Sequence, residues 1–113
     1  MTHWMWFIFP QIDGLGQSTM AKRYAIRSRQ EANDYLSHAV LGARLLECTG
    51  LMLAVKSKSA FEILGTPDDL KFRSSITLFA EVAGDDSVFR KALDRFYDGK
   101  PDQRTLELLK MNI

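Results

Sequence analysis

Residues 66–84, TPDDLKFRSSITLFAEVAG, carry the strongest helix signals in the chain. Thr66 is predicted to be the N-cap and Pro67 to occupy the first helical position, which the fixed φ of proline suits. Asp68 and Asp69 follow, where the positive end of the helix dipole stabilises carboxylates. Apolar residues then recur at helical spacing up to the terminal glycine: Phe72, Ile76, Phe79 and Ala83. The stretch therefore predicts an amphipathic helix with one buried face.

Two further helices are predicted before this stretch. Residues 28–31, Ser-Arg-Gln-Glu, have the form of a capping box, in which Ser28 and Glu31 each bond the other's backbone amide. His38-Ala39 marks a break, and a longer helix follows whose apolar residues step by four and three: Leu41, Leu45, Cys48, Met52 and Val55. Gly42 and Gly50 weaken that helix, so we expect close packing against a neighbour at both positions.

Three shorter helices complete the pattern. Ser59 is the predicted cap of a helix from Ala60 to Leu64, Asp85 or Asp86 opens the next, and Asp102 caps the last. Glycines mark the ends of the first two: Gly65 and Gly99. The predicted inward-facing residues of the last two helices are Phe89, Leu93, Phe96, Tyr97, Leu106, Leu109 and Ile113.

No stretch alternates with period two, and no hairpin turn joins two strand-like runs. A short β segment at residues 6–9 stays open as an alternative, because its composition is strand-like. The sequence predicts an all-α fold, a compact bundle of about six or seven short helices that occupies residues 1–113 as one domain.

The composition excludes several classes of protein. Fifteen basic and fourteen acidic side chains leave a net charge of +1, which argues against a dedicated nucleic-acid surface. Cys48 is the single cysteine and there are two histidines far apart in the sequence, so we expect no metal site. We also expect no cofactor. No apolar run reaches the roughly 20 residues of a membrane span, and no signal-peptide pattern opens the chain. We therefore expect a cytoplasmic protein with no membrane partner.

Four aromatic residues lie within the first nine positions: Trp4, Trp6, Phe7 and Phe9. Burial in the core explains them most simply, since aromatic side chains have large burial energies. The alternative is that one indole and His3 line a pocket or a contact between subunits.

A glycine-containing loop at residues 13–18 leads into a segment that carries positive charge without an acid: Lys22, Arg23, Arg27 and Arg29. Glycines let a backbone approach a ligand, and a following helix offers N–H groups to an anion. The pattern is neither a phosphate-binding Walker loop nor a dinucleotide fingerprint, so a plain turn before a solvated basic face is the simpler interpretation.

Lys71 lies one helical turn before Ser74 and Ser75. A lysine in this position is able to activate a serine or to bind an anion, whereas a solvated surface is the simpler interpretation. Two serines in the middle of a helix have poor propensity and call for a helix contact or a ligand.

The chain resembles a bacterial and fungal family called domain of unknown function 1810, whose members are sometimes labelled calpastatin. The runs that carry the resemblance are His3-Trp4-Met5-Trp6-Phe7-Ile8-Phe9-Pro10-Gln11, Gly14-Leu15-Gly16, Tyr24-Ala25-Ile26, Tyr35-Leu36, Leu41-Gly42 and Ser74-Ser75. The resemblance implies a small, mainly helical domain without an established activity. It also implies a set of ligand-binding candidates among the polar positions of the family pattern: His3, Trp4, Gln11, Ser18, Tyr24, His38, Lys71, Ser74 and Ser75.

Members of that family usually carry a further helical stretch before the tryptophan-rich run, and this chain begins almost at that run. We expect the apolar surface left open there to favour a homodimer or another homo-oligomer through the aromatic N-terminus.

Three functions stay open on these grounds. The first is a non-enzymatic binding or interaction protein, whose polar pocket near His3, Gln11 and Lys71 holds a small anionic ligand. The second is an enzyme acting on a nucleotide-like or phosphorylated metabolite, with the loop at residues 14–18 and Lys71 on the anion and His3 or His38 as general acid or base. The third is a structural module that binds a partner through its aromatic N-terminus.

Overall fold

The computed structural model describes residues 5, 8–15 and 22–111, and these residues contain six named helices. They are α1 (Arg29–Ser37), α2 (Leu41–Ala54), α3 (Ala60–Leu64), α4 (Asp68–Ala83), α5 (Val88–Tyr97) and α6 (Gln103–Met111). Extended pairing in the described ranges is limited to one isolated parallel bridge between Ile12 and Ile26. The all-α prediction is confirmed.

Helix α4 is the centre of the fold. Its residues from Ser74 to Ala80 are all buried, on every side of the helix. The prediction of a single buried face was wrong here, because helices α1, α3, α5 and α6 all contact α4. Ala83, which was predicted to face inward, is exposed at the end of the helix.

Two predicted helix starts were wrong. Pro67 occupies the N-cap position of α4 and Thr66 makes no capping bond, because the carbonyl of Gly65 accepts from Asp69 N at 2.9 Å. Helix α5 is capped by Ser87, whose hydroxyl accepts from Arg90 N at 3.2 Å, and the two preceding aspartates lie in the turn before it. In both cases the actual N-cap lay within two positions of the one predicted.

The other predicted caps are confirmed. Ser59 forms a full capping box with Glu62, and the Asp102 carboxylate accepts from Thr105 N at 3.0 Å. The Ser28 hydroxyl accepts from Glu31 N at 3.1 Å. Within the described contacts the Glu31 carboxylate does not return that bond, so the capping box is only half formed.

Helices α1 and α2 form a tight corner at Gly42. A Cβ atom on Gly42 would lie 1.9 Å from the carbonyl oxygen of Leu36, so the backbones approach more closely than any side chain permits. At Gly50 an added Cβ would meet nothing within 4 Å. The expectation of close packing is therefore confirmed at the first glycine and wrong at the second.

The described part of the aromatic opening packs beside α4. The rings of Phe9 and Phe72 meet edge to face, with centroids 4.9 Å apart. Phe9 N donates to the carbonyl of Met5 at 2.8 Å, a helical bond, so the alternative of a β segment is wrong at this end of the run. Trp6 and Phe7 lie outside the described residues. The N-terminal segment thus reaches the start of the central helix.

A second long-range tie holds the loop between α2 and α3. Arg95 of α5 donates from Nη2 to the carbonyls of Val55, Lys56 and Lys58 at 3.1, 2.7 and 3.0 Å. These bonds satisfy loop carbonyls that would otherwise need water. Helices α2 and α3 are thereby held at a defined separation.

Candidate anion-binding site

Six of the nine ligand-binding candidates fall within the described residues. His3, Trp4 and Ser18 lie outside them, and so does half of the loop at residues 13–18. The predicted subunit contact depends largely on the same undescribed opening, so the homo-oligomer stays a prediction.

His38 has a structural role at the corner between α1 and α2. Its Nδ1 accepts from Val40 N and from Leu41 N, each at 3.1 Å. These bonds satisfy amides at the start of α2 that no intrahelical carbonyl reaches, and they require Nδ1 to be unprotonated. The side chain therefore serves as a helix cap in this arrangement.

Lys71, Ser74 and Ser75 do not form a catalytic pair in the described contacts. The Lys71 ammonium lies 3.7 Å from the Asp68 carboxylate, and no hydrogen bond joins it to either serine. Ser74 donates to the carbonyl of Leu70 at 3.2 Å, and Ser75 is fully buried. The serines belong to the central helix, where small side chains suit a helix that is packed on every side.

Gln11 is only 7% exposed, and its backbone is hydrogen-bonded to the segment at residues 24–27, which crosses it. Its carbonyl accepts from Ile26 N at 2.8 Å, and the carbonyl of Ile26 accepts from Asp13 N at 2.8 Å. Among the described residues its side-chain Nε2 has no hydrogen-bond partner. The two backbone bonds fix residues 24–27 against the N-terminal segment.

Beside this bridge lies a cavity of about 250 Å³, which we call the basic cavity. Its walls come from the N-terminal segment, from the segment before α1, and from the facing sides of α1 and α2. It is lined by Pro10, Arg23, Tyr24, Ala25, Ile26, Arg27, Glu31, Tyr35, Leu41 and Arg44. Tyr24 is the one described candidate among these residues.

The charge of the basic cavity is positive. Three arginines, Arg23, Arg27 and Arg44, face one carboxylate, that of Glu31. Within the described part of the chain, none of the three arginines forms an ion pair. The Arg23 guanidinium lies over the Tyr24 ring, 5.5 Å from its centroid, which leaves its hydrogen-bonding edge available. Because the whole chain carries only +1, this is a local concentration of charge.

Tyr35, which lines the basic cavity, and Cys48, which lies one helical turn beyond Arg44 on α2, stay protonated at neutral pH. Burial raises the pKa of Tyr35, Arg44 acts in the opposite direction, and Cys48 adds to the rise. Burial also raises the pKa of the Cys48 thiol, with Glu47 in the same direction. A thiol with a raised pKa is a poor nucleophile, which argues against covalent chemistry at Cys48.

Part of this site was visible in the sequence. Arg23 and Arg27 belong to the basic segment noted above, and Glu31 and Tyr35 are one turn apart on a predicted helix. Arg44 was missed, because only the corner at Gly42 brings its side of α2 to the segment before α1.

Other classes of site find no support in the described residues. No group of three His, Cys, Asp or Glu side chains is arranged there to hold a metal ion. Within the same ranges, every helix is too short or too polar to cross a membrane.

Comparisons with known proteins identify a family and a solved structure to which the chain is similar. The model of a family described as "Protein of unknown function (DUF1810)" matches residues 1–109, which confirms the resemblance. The chain is also similar to the crystal structure of the conserved hypothetical protein Rv1873 from Mycobacterium tuberculosis, with 51% identity and a TM-score of 0.92. That match covers 97% of this chain and 79% of the other. No match was found among curated proteins.

Proposed function

The chain belongs to the DUF1810 family, and for this member of it we propose a binding function: the basic cavity holds a small anionic ligand. The observation that carries the proposal is the convergence of Arg23, Arg27 and Arg44 on one concave site whose described lining holds a single carboxylate, that of Glu31, and where none of the three forms an ion pair with a described residue. Guanidinium groups present planar pairs of donors that match carboxylate and phosphate oxygens.

The walls of the cavity are suited to hold such a ligand without rearrangement. Pro10, Ala25 and Ile26 are buried, and the bridge between Gln11 and Ile26 ties their two segments together. Charged side chains on a rigid wall lose less conformational entropy on binding than charged side chains on a mobile loop. Tyr24 and Tyr35 add two aromatic faces to the same space.

The proposal is tested by titrating the protein with inorganic phosphate and pyrophosphate at low ionic strength. The two measurements are the heat of binding, by calorimetry, and the rise in Tm caused by each ligand. We expect pyrophosphate to bind more tightly than phosphate, because it offers more charge to three arginines. Arg27→Gln and Arg44→Gln should each weaken binding about tenfold or more, the loss of one charged hydrogen-bonding partner.

Arg104→Gln is the matched control. Arg104 is an exposed arginine on α6, paired with Glu107 at 3.3 Å and outside the cavity lining. Arg104→Gln changes the net charge by the same amount as Arg27→Gln or Arg44→Gln. Equal weakening in all three variants would show a general charge effect and would refute a site in the basic cavity.

A further inference from the structure

One face of α2 lines two cavities in succession. The N-terminal half contributes Leu41 and Arg44 to the basic cavity. The C-terminal half contributes Cys48, Leu51, Met52 and Val55 to a second cavity of about 260 Å³, which we call the apolar cavity. The steps between these positions are three and four residues, with Met52 beside Leu51, so all six share one side of the helix.

The linings of the two cavities adjoin at the N-terminal segment. Phe9 lines the apolar cavity, and Pro10, the next residue, lines the basic cavity. On the helix, Arg44 and Cys48 are likewise one turn apart across the same boundary. A ligand lying along α2 would therefore reach the linings of both cavities.

The apolar cavity has the lining and size for a hydrocarbon. Phe9, Ile63 and Leu64 add to its walls, so apart from the Cys48 thiol every described side chain that lines it is a hydrocarbon or a thioether. An engineered apolar cavity of roughly 150 Å³ in another protein binds benzene, so this one has room for a larger group. Leu51, at its rim, is 59% exposed, which leaves a way in from solvent.

We propose that the two cavities together bind a single-chain amphiphilic anion, with its charged head among Arg23, Arg27 and Arg44 and its hydrocarbon tail beside Cys48, Leu51 and Ile63. This inference rests on the proposed function for the head and adds the tail. The charge at one end and the unbroken apolar lining at the other select this class of ligand over a purely polar anion. Head and tail then contribute to affinity separately.

The test is a series of alkyl phosphates with methyl, butyl and octyl chains, compared with inorganic phosphate below their micelle-forming concentrations. Affinity is expected to rise about fourfold for each methylene that enters the apolar cavity and to level off when the cavity is full. Arg44→Gln should weaken every member by the same factor. Octyl phosphate, but not inorganic phosphate, should also slow alkylation of Cys48, the single cysteine.

The matched pair of tail variants is Leu51→Gln and Leu46→Gln. Both leucines are exposed on α2, at 59% and 45%, so neither change removes a core residue, and Leu46 lines neither cavity. Leu51→Gln should reduce the gain per methylene, and Leu46→Gln should leave it unchanged. Equal effects would show adsorption to the helix surface and overturn the inference.

The remaining outcomes separate this inference from the proposed function. If phosphate binds but chain length has no effect, the tail site is refuted and the basic cavity stands. If uncharged octyl alcohol binds as well as octyl phosphate, the coupling of head and tail is refuted. If only anionic phospholipid vesicles are bound, the ligand is a membrane surface and the inference fails. If no phosphate compound binds, both proposals fail.

Discussion

The corner between α1 and α2 at Gly42 gives the sharpest prediction on stability. In Gly42→Ala the new Cβ would lie 1.9 Å from the carbonyl oxygen of Leu36 and 3.0 Å from that of Tyr35. Both oxygens belong to the backbone, so the two helices have to separate by on the order of 1 Å before the contact becomes an ordinary one. The same helices carry Tyr35 and Arg44 into the basic cavity.

The magnitude follows from two opposing effects. Overpacking costs about 1–3 kcal/mol, and a clash with backbone belongs at the upper end of that range. Alanine in place of a helical glycine recovers up to ~1 kcal/mol. We expect Gly42→Ala to lower the free energy of unfolding by about 2 kcal/mol, which corresponds to a fall of roughly 8 °C in Tm for a domain of this size.

Gly50→Ala is the control within the same helix. An added Cβ there meets nothing within 4 Å, so only the propensity gain remains and the variant should be more stable by up to ~1 kcal/mol. The stability changes of both variants are measured by thermal and urea unfolding followed by circular dichroism. Gly42→Ala should also weaken pyrophosphate binding, and Gly50→Ala should not. A Gly42→Ala protein as stable as the wild type would refute the close approach of the two helices.

Two further predictions concern single side chains. His38→Ala removes the acceptor for the first amides of α2 and should lower the free energy of unfolding by about 1 kcal/mol. His38→Asn keeps an acceptor, so its loss of stability should be smaller. Equal losses in the two variants would contradict the capping role. Burial raises the pKa of Tyr97, with the Asp69 charge adding to the rise, and its hydroxyl donates to the carbonyl of Asp69 at 2.5 Å. Since the folded pKa lies above the unfolded value of about 10, this stabilisation is complete below about pH 10 and is lost as the pH rises further. Tyr97→Phe should therefore be less stable than the wild type by about 1 kcal/mol at neutral pH. As the pH rises above about 10, the variant should lose less stability than the wild type. If both proteins lose the same stability in alkali, another group is responsible.

The helices and most of their ends follow from the sequence because their causes are local. Ser59 and Asp102 lie next to the amides they cap, and the glycine after α4 lies next to the last turn it ends. A side chain reaches such a partner whatever the rest of the chain does. Even the two wrong starts lay within two residues of the actual cap.

The sequence did not separate polar residues with local structural partners from residues of a site, and the site itself depends on contacts between residues distant in the chain. His38 and Ser74 resemble binding residues in the sequence, yet their partners are the adjacent α2 amides and the carbonyl of Leu70. Arg44 carries no signal of its own, since an exposed arginine on a helix is ordinary until another segment faces it.

The sequence by itself determined an all-α fold, its helices and a basic segment before the first of them, because propensity, capping and charge act over a few residues. The tertiary structure alone decided that the central helix is buried on every side. It also decided that Gly42 lets two helices meet, and that one face of α2 is charged at its start and apolar at its end. Those features depend on which surfaces pack against each other, because burial and local charge density arise only when residues distant in the chain come together.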